Sequence, residues 1–300
     1  MKTPIFTGSN VAIVTPFKNG AINFDKLGQL IEFQIKNGTN SITICGTTGE
    51  SSTLTHEEHC QAIEYCVKKV AGRVPVIAGT GSNDTAYALE LSLFAENAGA
   101  NGLLMVAPYY NKTTQKGLVN QFMYIADRVK TPIVLYNVPS RTQLGFTAES
   151  YHQLSKHPNI NGVKEASGDF TLICNTVHLC GDQLNVWSGN DDQIVPLMSL
   201  GAKGVISVAA NIIPGIINRI CQTFSAGDIS ASAALQTKYF GVVNALFKEV
   251  NPIPVKSIMN HLGFDVGELR MPLCPMDDAN LDILKNQLAA VNLDCIKLDV

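Results

Sequence analysis

The sequence predicts a single (β/α)8 TIM barrel followed by a C-terminal helical extension, and three observations carry that expectation. Eight short apolar runs rich in β-branched residues recur along the first two thirds of the 300-residue chain. Segments with a helical period lie between them, and glycines stand where those helices would end. Near-continuous hydrophobicity suits strands buried on both faces, hence a parallel sheet.

The runs are residues 11–15, 42–45, 74–78, 103–107, 133–136, 160–164, 186–188 and 205–208. Between the second and third, residues 55–71 carry Ala62, Ile63, Cys66, Val67 and Val70 as one apolar stripe. Thr55 and Glu58 open that segment as a capping box, which gives Glu58 a structural role. Gly38, Gly72, Gly99 and Gly201 fit left-handed helix stops. Eight such units in about 210 residues match a barrel better than a doubly wound sheet, and no G-x-G-x-x-G appears. From about residue 227 the strand signal fades, leaving helical stretches at 228–250, 254–262 and 279–291. Residues 1–226 are therefore expected to form the barrel and 227–300 the extension.

Composition excludes several classes of protein. With 46% hydrophobic and 16% charged residues the chain has ample material for a core. Lys plus Arg number 22 against 25 Asp plus Glu, a net charge of −3 without the basic excess that nucleic-acid binding needs. No window approaches about eighteen uninterrupted apolar residues, and the polar start does not resemble a signal peptide. The expectation is a cytoplasmic protein with neither membrane nor nucleic acid as partner. Eight scattered cysteines without C-x-x-C suggest reduced thiols, not a disulfide framework.

In a parallel barrel the working groups lie at the carboxyl ends of the strands. Those positions hold Thr47, Thr48, Tyr109, Tyr110, Tyr136, Asn137, Lys164, Glu165, Ser188, Asn190 and Ser207. Hydroxyls dominate there, while all six histidines fall on helices or connections, so no metal site is expected. His56 and His59 share a helix face but lack a third ligand. Gly79-Thr80-Gly81-Ser82 resembles a phosphate cradle only loosely, with no lysine after it.

Lys164 ends a buried apolar strand, where desolvation is expected to lower its pKa. At an ordinary value of about 10.4, only about one lysine in two or three thousand is a free amine at pH 7. A lowered value would make the neutral nucleophile common, and such an amine attacks ketones. A salt bridge to Glu165 or Asp169 is an equally good reading of the strand position alone. Tyr136 ends the neighbouring strand as a proton carrier or a half-buried packing residue. Thr47 and Thr48 sit in a turn that either satisfies its own hydroxyls or presents N–H groups to a carboxylate.

Three stretches, Gly46-Thr47-Thr48-Gly49-Glu50-Ser51, Leu135-Tyr136-Asn137-Val138-Pro139-Ser140-Arg141-Thr142 and Gly162-Val163-Lys164-Glu165-Ala166-Ser167-Gly168, resemble the dihydrodipicolinate synthase family. The likeness covers essentially the whole chain, with support from Pro108-Tyr109-Tyr110-Asn111 and Asn251-Pro252-Ile253-Pro254-Val255-Lys256. It implies a Schiff-base lyase that condenses pyruvate with L-aspartate 4-semialdehyde on the diaminopimelate route to lysine, with no separate cofactor. Lys164 would form the Schiff base, Tyr136 would pass protons, and Thr47 and Tyr110 would complete the relay. Tyr110 would reach into a neighbouring subunit, making catalysis depend on a dimer, within a tetramer built as a dimer of dimers. Thr48 would hold the pyruvate carboxylate, Ile206 and Gly189 would line the pocket, and Arg141 would receive the second substrate's carboxylate.

Two alternatives remain at this point. A sister aldolase such as N-acetylneuraminate lyase resembles the chain in barrel, lysine and tyrosine, but Arg141 favours the semialdehyde. A non-catalytic keto-acid sensor could dispense with the nucleophile, whereas Lys164, Tyr136, Thr47 and Tyr110 are intact. The resemblance also implies an allosteric lysine site at Ser51, His56, His59, Asn83, Tyr87 and Tyr109. Tyr87 stands where the lysine-sensitive pattern has a glutamate, so weak inhibition or none is expected.

Overall fold

A computed structural model describes residues 1–293 and Leu298; Asp294, Cys295, Ile296, Lys297, Asp299 and Val300, at the end of the expected 227–300 extension, lie outside the described residues. The chain opens with β1 (Gly8–Ala12), a small antiparallel ribbon of β2 (Phe17–Lys18) and β3 (Ala21–Ile22), and α1 (Phe24–Lys36). Then come β4 (Ser41–Ile44), α2 (His56–Val70), β5 (Val76–Gly79), α3 (Thr85–Asn97), β6 (Gly102–Val106) and α4 (Gln115–Ala126). They are followed by β7 (Ile133–Asn137), the single turn α5 (Pro139–Thr142), α6 (Ala148–Ser155), β8 (Ile160–Glu165) and α7 (Phe170–Cys180). The series continues with β9 (Asn185–Ser188), α8 (Ile194–Ser199), β10 (Gly204–Ser207) and α9 (Pro214–Ser225). It ends with α10 (Ile229–Ala245), α11 (Ile253–His261) and α12 (Asp278–Ala289).

Eight strands close a parallel barrel in the order β1, β10, β9, β8, β7, β6, β5, β4, with β4 returning to β1. This is the TIM barrel that the sequence predicts. Alternation along each strand divides the apolar residues between two cores. Val134 and Tyr136 face the barrel interior with Ile77, Leu104, Trp187 and Ile206, whereas Leu135 and Val163 pack under the helices. Phe6 plugs the interior, its ring stacked on Trp187 at 5.0 Å while its carbonyl accepts the indole N–H.

Helix boundaries follow local chemistry. Thr55 caps α2, and the reciprocal bond to Glu58 forms the expected box. The four expected stop glycines all adopt positive φ, but α2 enters the left-handed region one residue earlier, at Ala71. The expected helix over 228–250 ends at Ala245 instead. Residues 246–250 form turns and bends instead, and Asn251, restricted by Pro252, brings the chain back to Thr48 and Arg141. Helix α10 packs on α8, α9 and α12, while α11 lies against α12 and the 3-10 turn Ala209–Asn211. Among the described residues no helix is long and apolar enough to cross a membrane. The seven described cysteines are free thiols.

Gly79 and Gly81 are required by close packing, which accounts for the loose likeness to a phosphate cradle. A Cβ on Gly79 would stand 2.1 Å from the Cys45 carbonyl oxygen, and one on Gly81 would stand 2.3 Å from the Val106 nitrogen.

Candidate active site

The parallel register sets Tyr136 on β7 beside Lys164 on β8. Both side chains are buried, at 7% and 5% exposure, and the Lys164 Nζ stands 4.4 Å from the Tyr136 ring centroid. That ring face attracts a cation without neutralising it. Among the described residues Lys164 enters no ion pair. Gly189 leaves room for the amine, since a Cβ there would lie 3.2 Å from the Lys164 Cε.

The salt-bridge alternative for Lys164 therefore fails, because both suggested carboxylates have other work. Asp169 caps α7 through the Leu172 amide. Glu165 points to the opposite side of the strand, where its carboxylate accepts from Asn137 Nδ2, the Tyr151 hydroxyl and the Ser167 amide. Burial pushes the Glu165 carboxyl up, and these donors partly oppose it.

Thr47 and Thr48 lie in the 3-10 turn Thr47–Gly49 after β4. The Thr48 hydroxyl accepts from Asn251 Nδ2 at 2.9 Å, and the Asn251 carbonyl accepts from Arg141 Nη2 at 2.9 Å. One residue of the C-terminal region thus ties together two sequence-predicted substrate contacts. Beneath the turn, Thr15 Oγ1 donates to the Gly49 carbonyl. Glu50, in the left-handed region at φ 54°, accepts from Lys256 Nζ at 2.8 Å and from the Arg270 amide. Lys256 also donates to the Thr15 carbonyl, so a fully buried ion pair braces the turn from below.

A cavity of about 400 Å³ opens beside this turn. Thr47 and Arg141 line it together with Ser51, His59, Tyr87 and Tyr109, four of the six residues expected at an allosteric site. His56 and Asn83 do not line it. His56 lies with its ring 5.8 Å from Tyr87 and Nε2 3.6 Å from Glu90, and the Asn83 carbonyl accepts from Asn111. His59 is bonded to the Gly79 carbonyl at 2.8 Å, and burial lowers its pKa.

Ile206 is fully buried inside the barrel. Tyr110 stands apart from these groups, 93% exposed on a left-handed backbone with φ 67°. A non-glycine residue held there is strained, and an aromatic ring so exposed has nothing to pack on within its own chain. Among the described residues, no three His, Cys, Asp or Glu side chains converge as a metal site.

Sequence reasoning missed Asn251, Glu50, Lys256 and Arg270 as supports of the site. Asn251 and Lys256 fall in one recognised stretch and Glu50 in another, but nothing local reveals that Glu50 and Lys256, 206 residues apart, form a pair.

Comparison with known proteins agrees with this geometry. Residues 5–291 match the Dihydrodipicolinate synthetase family. A 4-hydroxy-tetrahydrodipicolinate synthase from Thermoanaerobacter sp. (strain X514) is 55% identical over 291 residues, covering 97% of this chain and 98% of the relative. Its counterpart from Acetivibrio thermocellus is 52% identical over 288 residues, covering 96% and 98%. The crystal structure of dihydrodipicolinate synthase from Aquifex aeolicus superposes with a TM-score of 0.94 at 43% identity, covering 96% of this chain and 99% of that one. With the barrel, the buried lysine and a likeness spanning nearly every residue in agreement, this chain belongs to the Dihydrodipicolinate synthetase family.

Proposed function

We propose that this chain is a Schiff-base lyase that condenses pyruvate with L-aspartate 4-semialdehyde to give 4-hydroxy-tetrahydrodipicolinate. The observation that carries the reading is the amine of Lys164, buried against the Tyr136 ring with no ion-pair partner among the described residues. A lysine locked in a salt bridge would be a poor nucleophile, whereas among the described residues no carboxylate engages this one.

In the proposed reaction the neutral amine adds to the pyruvate ketone and water leaves. The resulting iminium draws electrons, a methyl proton departs, and the enamine attacks the aldehyde of the second substrate. The substrate's own amine then displaces Lys164 as the ring closes. The adduct itself is the electron sink, so the mechanism calls for no added cofactor. Tyr136 carries protons, with Thr47 and a partner subunit's tyrosine equivalent to Tyr110 completing the relay. Thr48 holds the pyruvate carboxylate, and Gly189 and Ile206 shape the pocket. Arg141 receives the semialdehyde carboxylate through a planar fork that lysine does not reproduce.

The exposed, strained Tyr110 supports a homo-oligomer, read here as a tetramer of two dimers. We assign residues 1–226 to the catalytic barrel and 227–300 to an extension whose Asn251 and Lys256 brace the site. Free thiols suit a cytoplasmic enzyme.

Borohydride reduction in the presence of pyruvate, followed by peptide mass mapping, tests the reading. The adduct is expected on Lys164; an untouched Lys164 or a tag elsewhere overturns it. A coupled assay comparing L-aspartate 4-semialdehyde with N-acetylneuraminate separates this activity from that of a sister aldolase.

A further inference from the structure

The proposed contacts for the two substrate carboxylates lie far apart in the chain, Thr48 after β4 and Arg141 on α5. Asn251, between α10 and α11, touches both. It is buried at 6% exposure. Its Nδ2 donates to the Thr48 hydroxyl at 2.9 Å, and its main-chain carbonyl accepts from Arg141 Nη2 at 2.9 Å. Among the described residues its buried Oδ1 finds no hydrogen-bond partner.

Other groups already fix the two backbones. Thr15 Oγ1 donates to the Gly49 carbonyl at the Thr47–Gly49 turn, and the Arg141 and Thr142 amides donate to the Val138 carbonyl across α5. What remains for Asn251 is the direction of two side chains. A threonine hydroxyl rotates about its C–O bond until a partner sets it. By donating to that oxygen, the Asn251 amide turns the Thr48 hydrogen away from itself. Among the described residues the Thr48 hydroxyl donates to no other group, so its hydrogen is left for an incoming acceptor.

Stability alone does not account for this amide. A buried acceptor without a partner is costly, and an apolar side chain of the same shape would carry neither the donor nor the orphaned oxygen.

We propose that Asn251 is a positioning residue that makes the two carboxylate contacts of the condensation interdependent. The inference rests on the Schiff-base reading and deepens it. The side chain aims the Thr48 hydroxyl at the pyruvate carboxylate. The same bond anchors the main-chain oxygen that holds Arg141 for the carboxylate of the second substrate. Arg141 uses one N–H of its fork on that oxygen and makes no ion pair among the described residues, so the rest of the guanidinium is available to an anion. Two anions thus meet donors held in one geometry by a residue that acts through its neighbours.

The test is a double-mutant cycle read by borohydride trapping of pyruvate, in which hydride adds to the iminium carbon and fixes it as a secondary amine on Lys164. Asn251→Leu keeps the shape and removes the donor together with the orphaned oxygen. Half-saturating pyruvate is expected to rise about fivefold, with the extent of trapping at saturation unchanged. In a Thr48→Val background no hydroxyl is left to direct, so Asn251→Leu should add nothing to the fivefold or so that Thr48→Val costs alone. Effects that multiply to about twenty-five-fold, or an unchanged value in Asn251→Leu, overturn the inference. Asn251→Asp, equally close in shape and still polar, repeats the cycle if Asn251→Leu does not fold. No trapping in the wild-type protein would instead overturn the Schiff-base reading itself.

Arg141→Lys provides a second test that does not depend on any Asn251 variant. It keeps the positive charge, and with it any general attraction for an anion, but loses the planar fork that grips the Asn251 carbonyl. Half-saturating pyruvate, measured with no second substrate present, is expected to rise about threefold, although Arg141 does not hold pyruvate in the proposed reaction. An unchanged value would show that the two contacts are independent and would overturn the link between them.

Discussion

The side-chain amide of Asn137 donates to both carboxylate oxygens of Glu165, at 3.0 and 3.1 Å, one residue beyond the paired Tyr136 and Lys164. The two pairs face opposite sides of the same strand ends. Tyr136 and Lys164 look into the barrel, while Asn137 and Glu165 are locked beneath α6 with Tyr151. An outer clamp thereby fixes the spacing of the inner pair.

Breaking that clamp should disturb chemistry without touching the pocket. Glu165→Gln preserves shape but turns one acceptor oxygen into a donor facing Asn137 or Tyr151. The expected destabilisation is about 1 to 3 kcal/mol, the usual range for an unsatisfied buried group. Turnover should fall while half-saturating pyruvate changes little, because the carboxylate contact proposed for Thr48 lies after β4, on a different element from the clamp. Urea denaturation and steady-state kinetics check both effects, and wild-type turnover in a destabilised variant would refute the coupling.

The Glu50–Lys256 pair supports the Thr47–Thr48 turn in a place that water does not reach. Burial lowers the Lys256 pKa and the Glu50 carboxylate opposes that. Lys256→Met strands Glu50 in the interior, for an expected loss of about 3 to 5 kcal/mol. Adding Glu50→Gln removes the orphaned charge and should recover most of that stability. Half-saturating pyruvate should stay raised in the double variant, since the turn has lost its brace. A double variant as unstable as Lys256→Met alone would contradict this account.

Periodicity and composition made the barrel legible because each strand carries its own apolar signal. They misplaced the start of β1, read at Val11 but observed at Gly8, because Ser9 and Asn10 are polar. The Asn10 carboxamide is satisfied inside the sheet by Ser41 and Thr43, an arrangement invisible to a hydropathy pattern. Lys164 was legible as an ammonium ending an apolar run. Its freedom from Glu165 was not, since that depends on which side of β8 each residue faces and on Asn137 and Tyr151 claiming the carboxylate. Asn251 was illegible as a support because its contacts with Thr48 and Arg141 span 203 and 110 residues.

The cavity beside Thr47 also bears on regulation. Among the described residues lining it, Arg141 is the side chain that carries a full charge, and no carboxylate is present. Burial raises the Tyr87 phenol pKa, which keeps that group neutral. A free amino acid would bring an ammonium with nothing anionic to receive it. Isothermal titration with L-lysine is expected to show binding weaker than about 1 mM. Tyr87→Glu should tighten it about tenfold by restoring a partly desolvated ion pair. Tight binding by the wild-type protein would overturn this reading of the cleft.

Acid stability offers a last test through Glu58, which serves both as the α2 capping partner and as the ion-pair partner of Arg270. The Arg270 guanidinium holds the Glu58 carboxyl below its ordinary value, with the Thr55 amide adding to the effect and burial opposing it. A carboxyl with a depressed folded pKa stabilises the fold above its unfolded pKa, and that stabilisation disappears as pH falls through the folded value. Glu58→Gln should therefore lower the melting temperature at pH 7 and converge on the wild-type curve as acid protonates the native carboxyl. The group is partly exposed, so the difference at neutral pH is expected to be about 1 kcal/mol after solvent screening. Because the Arg270 amide also holds Glu50, slackening this pair should reach the Thr47–Thr48 turn and weaken pyruvate trapping modestly at neutral pH. A melting difference that stayed constant from pH 7 to pH 3 would show that the capping geometry, not the charge on Glu58, carries the effect.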